Sequence, residues 1–171
     1  MKRLIAPVAL LMFALGAPPL GAQTAGPAAS GPLAKTLGYF IGSWSCKGGN
    51  LKAPPMTATV TWSFALEDTL VDQHVVVPAA GKAPAYRFGG YASYEPKKKH
   101  IISVSTDEYG GWGVAWTGGW VGKALTFHDV ANDDNMLGTA VDTKIDASTF
   151  EHARYAKNKV VFKVRCVKTP S

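Results

Sequence analysis

The sequence predicts an all-β protein, a single closed antiparallel up-and-down barrel of about ten strands with a short N-terminal helical turn. Two observations support this fold class. Short runs of alternating apolar and polar residues are linked by turns rich in Gly, Pro, Asn and Asp. The two cysteines lie in the first and last of these runs, which are neighbours in a closed up-and-down barrel.

The N-terminus has the three regions of a secretory signal peptide. Met1-Lys2-Arg3 precedes an apolar run over residues 4–15 and a small-residue stretch that ends at Ala22. We therefore expect a signal peptide over residues 1–22, a flexible leader over 23–32 and one barrel domain over 33–171. We expect export, either to the periplasm of a Gram-negative bacterium or out of the cell.

Composition excludes two classes of partner. No stretch after the signal reaches the roughly 20 apolar residues that a membrane helix needs, so no integral membrane segment is predicted. Loss of Lys2 and Arg3 lowers the formal charge from +6 to +4, and the remaining basic residues gather at 97–100 and 157–168. The first group lies in a predicted turn and the second alternates with apolar residues along a strand, which indicates solvated faces rather than a nucleic-acid site. Nothing in the sequence indicates an oligomeric state.

The first predicted elements are a helical turn and an aromatic strand. Apolar residues at helical spacing in 33–40 predict one or two turns lying across an end of the barrel. Residues 40–46 alternate so that Phe40, Trp44 and Cys46 share an inward face. The later predicted strands are 57–64, 70–77, 86–94, 100–106, 112–116, a strand returning from a Gly118-Gly119 hairpin with Leu125, Phe127 and Asp129, a strand marked by Leu137, Val141 and Ile145, then 150–155 and 160–167.

The cysteines predict a disulfide across the barrel seam. An exported protein folds in an oxidising compartment, where two cysteines most simply form one bridge, although a free thiol pair is the alternative. Neighbouring antiparallel strands bring paired Cα atoms within the range that a disulfide tolerates. We therefore predict that Cys46 and Cys166 are bonded.

Several segments resemble known families of barrels. Residues 40–44, Phe-Ile-Gly-Ser-Trp, resemble the Gly-x-Trp element on the first strand of calycins, the superfamily of lipocalins, fatty-acid-binding proteins and avidins, and also nitrobindin-like barrels. Residues 91–101, 110–120 and 125–127 are similar to a bacterial lipocalin-like family of unknown function, with a Tyr-Asp-Pro-type turn, a Gly-rich hairpin and a Leu-Thr strand. The resemblance covers most of residues 33–168.

The resemblance raises two questions about site residues. Lipocalins place an Arg from the end of the barrel against the first-strand Trp, and the candidates here are Arg165 and Arg154. Because Val164 and Cys166 have inward parity, Arg165 is expected to point outward. Nitrobindin-like domains bind haem through a late His, here His152, whose neighbours do not match that pattern. No cofactor is predicted, and haem is open only through this resemblance.

Candidate site residues are aromatic and polar. Five aromatic residues are predicted to point inward: Trp44, Trp62, Phe64, Trp112 and Trp116. They either line a cavity for a flat or lipid-like ligand or fill the core. Asp72 and His74 share a strand face and form a candidate pair for proton transfer, but the four histidines lack metal-ligand spacing and no metal is predicted. The candidate ligand-binding residues are Trp44, Trp62, Phe64, Asp72, His74, Tyr86, Trp112, Trp116 and Arg154.

The predicted function is binding of a small hydrophobic molecule inside an exported barrel. One alternative is an isomerase or hydrolase that uses the same cavity, although no nucleophile motif such as Gly-x-Ser-x-Gly is present and no catalytic residue is assigned. The other alternative is a structural envelope barrel with a filled core.

Overall fold

The structure is a computed structural model that describes residues 30–81, 83–133 and 137–170. The predicted signal peptide and residues 23–29 of the predicted leader lie outside the described residues. Within the described part, no helix has the length and apolar character to cross a membrane. The elements are α1 Pro32–Leu37, a 3-10 turn Gly38–Phe40, β1 Gly42–Asn50, β2 Met56–Ala65, β3 Leu70–Val77, β4 Tyr86–Glu95, β5 His100–Asp107, β6 Trp112–Thr117, β7 Trp120–Val121, β8 Ala124–Asn132, β9 Thr139–Lys144, β10 Thr149–Ala156 and β11 Lys159–Lys168.

Ten of these strands form a closed antiparallel barrel, as the sequence predicts. Strands β1 to β6 pair in chain order, β8 to β11 do the same, and the ring closes through β1 with β11 and β6 with β8. The two-residue strand β7 pairs with the start of β8, where Trp120 faces Leu125. The Gly118-Gly119 turn therefore leads into β7, and the strand that pairs with β6 is β8.

The disulfide fastens the seam between the first and last strands. Cys46 and Cys166 are direct partners in the β1–β11 ladder and are joined by a disulfide with Cα atoms 3.9 Å apart. Both side chains are buried. The predicted bridge is confirmed, and it connects residues 120 positions apart in the chain.

An aromatic plug closes one end of the barrel. Helix α1 and the 3-10 turn lie over this end, where the indole N–H of Trp120 donates to the Thr36 carbonyl at 2.7 Å. The Phe40 ring stacks on Trp62 at 5.2 Å and on Trp120 at 5.8 Å. Phe40 belongs to the 3-10 turn and not to the first strand, and its carbonyl accepts the indole N–H of Trp44 at 2.6 Å. The predicted helical turns are confirmed.

Strand β9 is shorter than the span of the residues that marked it, and it buries the other face. Leu137 and Ile145 lie outside the strand and are exposed, whereas Ala140 and Asp142 face the interior. The apolar residues at spacing four therefore marked the strand but not its inner face. The buried residue of this strand is acidic: Asp142.

Candidate functional site: the barrel cavity

The interior contains a cavity of about 600 Å³ that extends from the aromatic plug toward the other end of the barrel. It exists because the central inward positions of three adjacent strands carry very small side chains. No bulky group from these positions fills or divides the space. We call this surface the small-residue wall: Gly90 and Ala92 on β4, Ser103 and Ser105 on β5, and Gly113 and Ala115 on β6.

The facing side of the cavity is apolar. We call the inner faces of β1, β2 and β11 the packed wall, because most of their inward side chains are buried against one another. Aromatic rings from Trp62, Phe127 and Phe162 add flat surface to the cavity. A cavity of this size with apolar lining and a few polar groups has the character of a small-molecule site. The buried inward residues of the packed wall are Trp44, Cys46, Ala58, Val60, Val164 and Cys166.

A histidine and an aspartate form a pair inside the cavity. His152 on β10 and Asp142 on β9 are direct partners across the strands, with Nδ1 of the imidazole 2.9 Å from Oδ1 of the carboxylate. The Asp142 side chain is only 8% exposed, and His152 is partly exposed. Because a carboxylate accepts the Nδ1–H, the network assigns that tautomer to the neutral ring and leaves Nε2 as an acceptor.

A second ion pair crosses strand β9. Nη2 of Arg154 donates to Oδ2 of Asp129 at 2.7 Å, and the backbone N–H of Gly138 donates to the same oxygen at 3.1 Å. The guanidinium can reach β8 because the β9 residue paired with Arg154 is Ala140, whose methyl group leaves room. Arg154 is therefore a cavity residue whose charge is already matched by a carboxylate.

A third polar pair lies near the open end, at the edge of the small-residue wall. The Tyr86 hydroxyl donates to Oδ2 of Asp107 at 2.9 Å, and Oδ1 accepts the backbone N–H groups of Tyr109 and Gly111, each at 2.9 Å. The hydrogen bond from Tyr86, together with these backbone donors, holds the pKa of Asp107 below its usual value. Burial, followed by the bond to Asp107, raises the pKa of Tyr86 to about 12.

A side chain at position 111 would displace this carboxylate. A Cβ atom there would lie 2.7 Å from Oδ2 of Asp107, closer than real Cβ atoms approach other atoms. The glycine therefore allows the turn after β5 to close over Asp107 and to place two N–H donors on it.

The predicted aromatic and polar residues divide between the cavity and the plug. Trp62, Tyr86 and Arg154 line the cavity. Trp44 and Phe64 face inward but pack in the core near the plug, with Trp44 fully buried. The plug cluster, rather than a ligand, accounts for the contacts of Trp44.

The predicted inward placement of Asp72, His74, Trp112 and Trp116 is wrong. Asp72 and His74 do form a pair at 2.8 Å, but His74 is 65% exposed on the outer surface, because Gln73 takes the inward position between them. Trp112 lies at the rim and is 47% exposed, and Trp116 is on the outer surface. The rings that flank Trp116 are those of His100 and His128, at 5.4 and 4.7 Å.

The cation near the first-strand Trp44 is a lysine here, and not the arginine that lipocalins place there. Nζ of Lys168 lies 5.5 Å from the centroid of Trp44. Arg165 points outward and is exposed, as its parity predicts, and Arg154 contacts Asp129. Neither arginine has the role that the resemblance implies.

Five acidic or imidazole side chains of the cavity lining were not among the sequence candidates for ligand binding: Asp107, Asp129, Asp133, Asp142 and His152. Asp129 and His152 share a face with large apolar residues of their strands, whereas the apolar residues of β9 give Asp142 the opposite parity. Asp129 shares its face with Leu125 and Phe127, so its inward orientation was visible in the alternation. The pairing of Asp142 with His152 could not be predicted, because it depends on which strands are neighbours and on their register.

The cavity offers limited cofactor chemistry. Among the described residues, no group of three or more His, Cys, Asp and Glu side chains is placed to hold a metal ion. The haem that nitrobindin-like barrels bind through a late His fits in one respect, since His152 lies in the cavity with Nδ1 held by Asp142. Nε2 of His152 would then be the atom that holds the iron.

Comparison with known proteins gives similarity of fold alone. No family model matches the sequence, and no curated protein matches it. Among solved structures, Rv2717c from M. tuberculosis is similar with a TM-score of 0.61 at 11% identity, over 82% of this chain and 99% of that one. A redesigned β-barrel (TM-score 0.44, 8% identity, 80% and 96% covered) and a de novo fluorescence-activating β-barrel (0.46, 10%, 80% and 97%) also match. The chain thus has a closed antiparallel β-barrel fold similar to that of Rv2717c.

Proposed function

We propose that this protein binds a small, largely apolar molecule inside its barrel. The observation that carries the proposal is the cavity of about 600 Å³ between the small-residue wall and the apolar packed wall. A barrel of this size can be filled by side chains, so small residues at six adjacent inward positions favour a binding site over a filled structural core. Burial of the ligand's apolar surface supplies the affinity, and the His152 and Tyr86 pairs supply polar anchors.

The direct test is binding of a neutral, apolar fluorescent probe to the purified barrel. N-phenyl-1-naphthylamine is suitable because its emission rises when it leaves water. We expect saturable binding with one probe per barrel, measured by fluorescence titration.

Two neighbouring residues on β5 provide matched variants for that titration. Ser103 faces the cavity, while Val104 faces outward and is 51% exposed. Ser103→Phe fills cavity space and should abolish probe binding, whereas Val104→Phe adds a comparable ring outside and should leave it unchanged. If both variants bind the probe as the wild type does, the probe does not occupy the cavity and the proposal fails.

The natural ligand can be sought in protein purified from its own host. Native mass spectrometry should show a co-purifying small molecule whose mass is absent from the Ser103→Phe variant. Haem is one distinguishable result, because it would give a Soret band that His152→Ala removes. We also propose that the chain is exported, which secretion of an N-terminally processed form from the host would support.

The His152–Asp142 pair favours one second candidate, an enzyme that transfers a proton on a ligand in the same cavity. A carboxylate that orients an imidazole is the arrangement used by general bases. His152→Gln should then abolish turnover of the identified ligand while its binding survives. Binding without chemical change of the ligand in the wild type would leave only the carrier function.

A further inference from the structure

We propose that the cavity selects ligands that carry a positively charged group, such as a protonated amine on an apolar body, and discriminates against carboxylates. The inference rests on the proposed binding function and specifies the chemical class of the ligand. Two independent properties of the described cavity residues support it: the sign of the charge on the wall, and the kind of hydrogen-bonding atoms that the wall leaves available.

The described charged groups around the cavity are mostly acidic. Four carboxylates line it against one guanidinium and one imidazole, so the wall is negative whether or not the imidazole is protonated. The carboxylates do not form one cluster, because they come from β5, β8, the turn after β8 and β9, and so face the space from different strands. The chain as a whole has a formal charge of +6, so the interior has the opposite sign to the molecule. The charged lining residues are Asp107, Asp129, Asp133, Asp142, His152 and Arg154.

Arg154 does not offset this preference. Its guanidinium lies 2.7 Å from the carboxylate of Asp129, so a carboxylate ligand would have to share the arginine with an existing anion. Charges interact more strongly inside a protein than in water, and the remaining aspartates would repel that ligand. An ammonium group in the same space is attracted by all of them.

Hydrogen bonding at two polar pairs points the same way, whereas the indole N–H of Trp62, which has no acceptor among the described residues, is a donor beside the aromatic plug. The Tyr86 proton is committed to Asp107, so the phenolic oxygen presents only lone pairs to the cavity. The Nδ1–H of His152 is committed to Asp142, which leaves Nε2 of the neutral ring as an acceptor. Both groups therefore accept and do not donate, and a protonated amine supplies three donors and no acceptor. A carboxylate supplies only acceptors.

Three straight-chain compounds of equal length test this preference: an alkylammonium, the corresponding alcohol and the corresponding carboxylate. Each competes with N-phenyl-1-naphthylamine for the wild-type protein at neutral pH. We expect the amine to bind about tenfold more tightly than the alcohol, equivalent to about 1.4 kcal/mol, and the carboxylate to bind more weakly than both. Added salt should weaken the binding of the amine and leave that of the alcohol unchanged.

One substitution should narrow the preference. Asp129→Asn removes a carboxylate and leaves the Arg154 guanidinium unmatched, so the advantage of the amine over the carboxylate compound should shrink, while the three remaining carboxylates keep the amine ahead. Asp72→Asn removes a carboxylate from the outer surface and is the matched control. It should leave the relative affinities of the three compounds as they are in the wild type. If the Asp129→Asn variant does not fold, the salt dependence of the wild type decides the question.

The outcomes separate the two proposals. Tight binding of the alcohol with equal or weaker binding of the amine overturns the inference about charge and leaves the binding function standing. Failure of the probe and of all three compounds to bind overturns the binding function itself. An affinity order of amine, alcohol, carboxylate supports both.

Discussion

The packed wall and the small-residue wall place their large side chains on opposite faces. On β1 and β2, the large residues point inward, and the outer positions hold small polar residues such as Ser45, Thr59 and Thr61. On β5 and β6, the central inner positions are Ser, Gly and Ala, with Ile101 inward only at one end, and large apolar residues such as Val104 and Trp116 are outside, 51% and 36% exposed. The same fold is thus built with two opposite hydrophobic patterns.

This difference shows that the cavity and the outer apolar surface have one origin. Side chains alternate between the faces of a strand, so moving bulk outward on β4 to β6 opens the interior and exposes apolar groups together. Tyr91, Val104 and Val114 are direct partners across these three strands, so their outer contacts support the sheet where inner contacts are sparse. Exposed apolar surface is the structural consequence of an open interior here.

The largest predicted effect is on the packed wall, at its disulfide. Replacing both Cys46 and Cys166 with Ala should lower the free energy of unfolding by about 4–5 kcal/mol in the chain-entropy model, because the bridge closes a loop across 120 positions. Urea unfolding of the variant and of the oxidised wild type measures the difference. The reduced wild type is the control and should match the variant. A loss below about 1 kcal/mol would mean that the barrel seam is stabilised by strand pairing alone.

The second prediction compares two tryptophans that the two walls place oppositely. Trp44→Ala should cost about 3–5 kcal/mol, because the side chain is fully buried against Phe150 and donates to the Phe40 carbonyl. Trp116→Ala should cost less than about 1 kcal/mol, because its ring lies outside and contacts only two histidine rings among the described aromatic groups. Chemical denaturation of both variants measures the two costs, and equal costs would contradict the assignment of Trp116 to the outer surface.

The opposite placement of large side chains on the two walls also explains which parts of the molecule could be predicted from sequence. Strand positions and the seam followed from alternation, turn residues and the two cysteines, since these signals are local or concern the chain ends. Alternation defines two faces without saying which is inside, and the rule that large residues point inward failed at Trp116. On β3 the apolar Val71 and Val75 mark the inner face, and the prediction of an interior Asp72–His74 pair was wrong because it did not apply this parity. The ion pairs depend on register between distant strands and could not be predicted.

The third prediction adds volume to each wall in turn. Ala58→Phe on the packed wall should destabilise by about 1–3 kcal/mol, because Ala58 is buried directly beside Cys46 of the disulfide, and a ring there displaces the packed side chains of the seam. Ser103→Phe on the small-residue wall should change stability by less than about 1 kcal/mol, because the ring enters the cavity. Thermal unfolding of both variants makes the comparison. A Ser103→Phe variant that is destabilised as much as Ala58→Phe would show that the small-residue wall borders no usable space.

The smallest predicted effect concerns pH at the edge of the small-residue wall. Because the folded-state pKa of Asp107 is lowered, its contribution to stability is present above the unfolded pKa and is lost as pH falls through the folded pKa. Because the folded-state pKa of Tyr86 is raised to about 12, its contribution is present below pH 10 and is lost as pH rises toward 12. Stability measured across pH should therefore fall at both extremes, and Asp107→Asn should weaken the acidic fall.

The same pair can be followed directly by the ultraviolet absorbance of phenolate. Tyr86→Phe should remove one tyrosine from the component that titrates near pH 12. Asp107→Asn should lower the pKa of Tyr86 only in part, because burial is the larger cause of its shift and remains when the carboxylate is lost. A complete return of the Tyr86 pKa to its ordinary value in Asp107→Asn would show that the carboxylate alone perturbs this hydroxyl. In that case the rim of the small-residue wall would be open to water, and Tyr86 would be a weaker anchor for a ligand than the cavity geometry indicates.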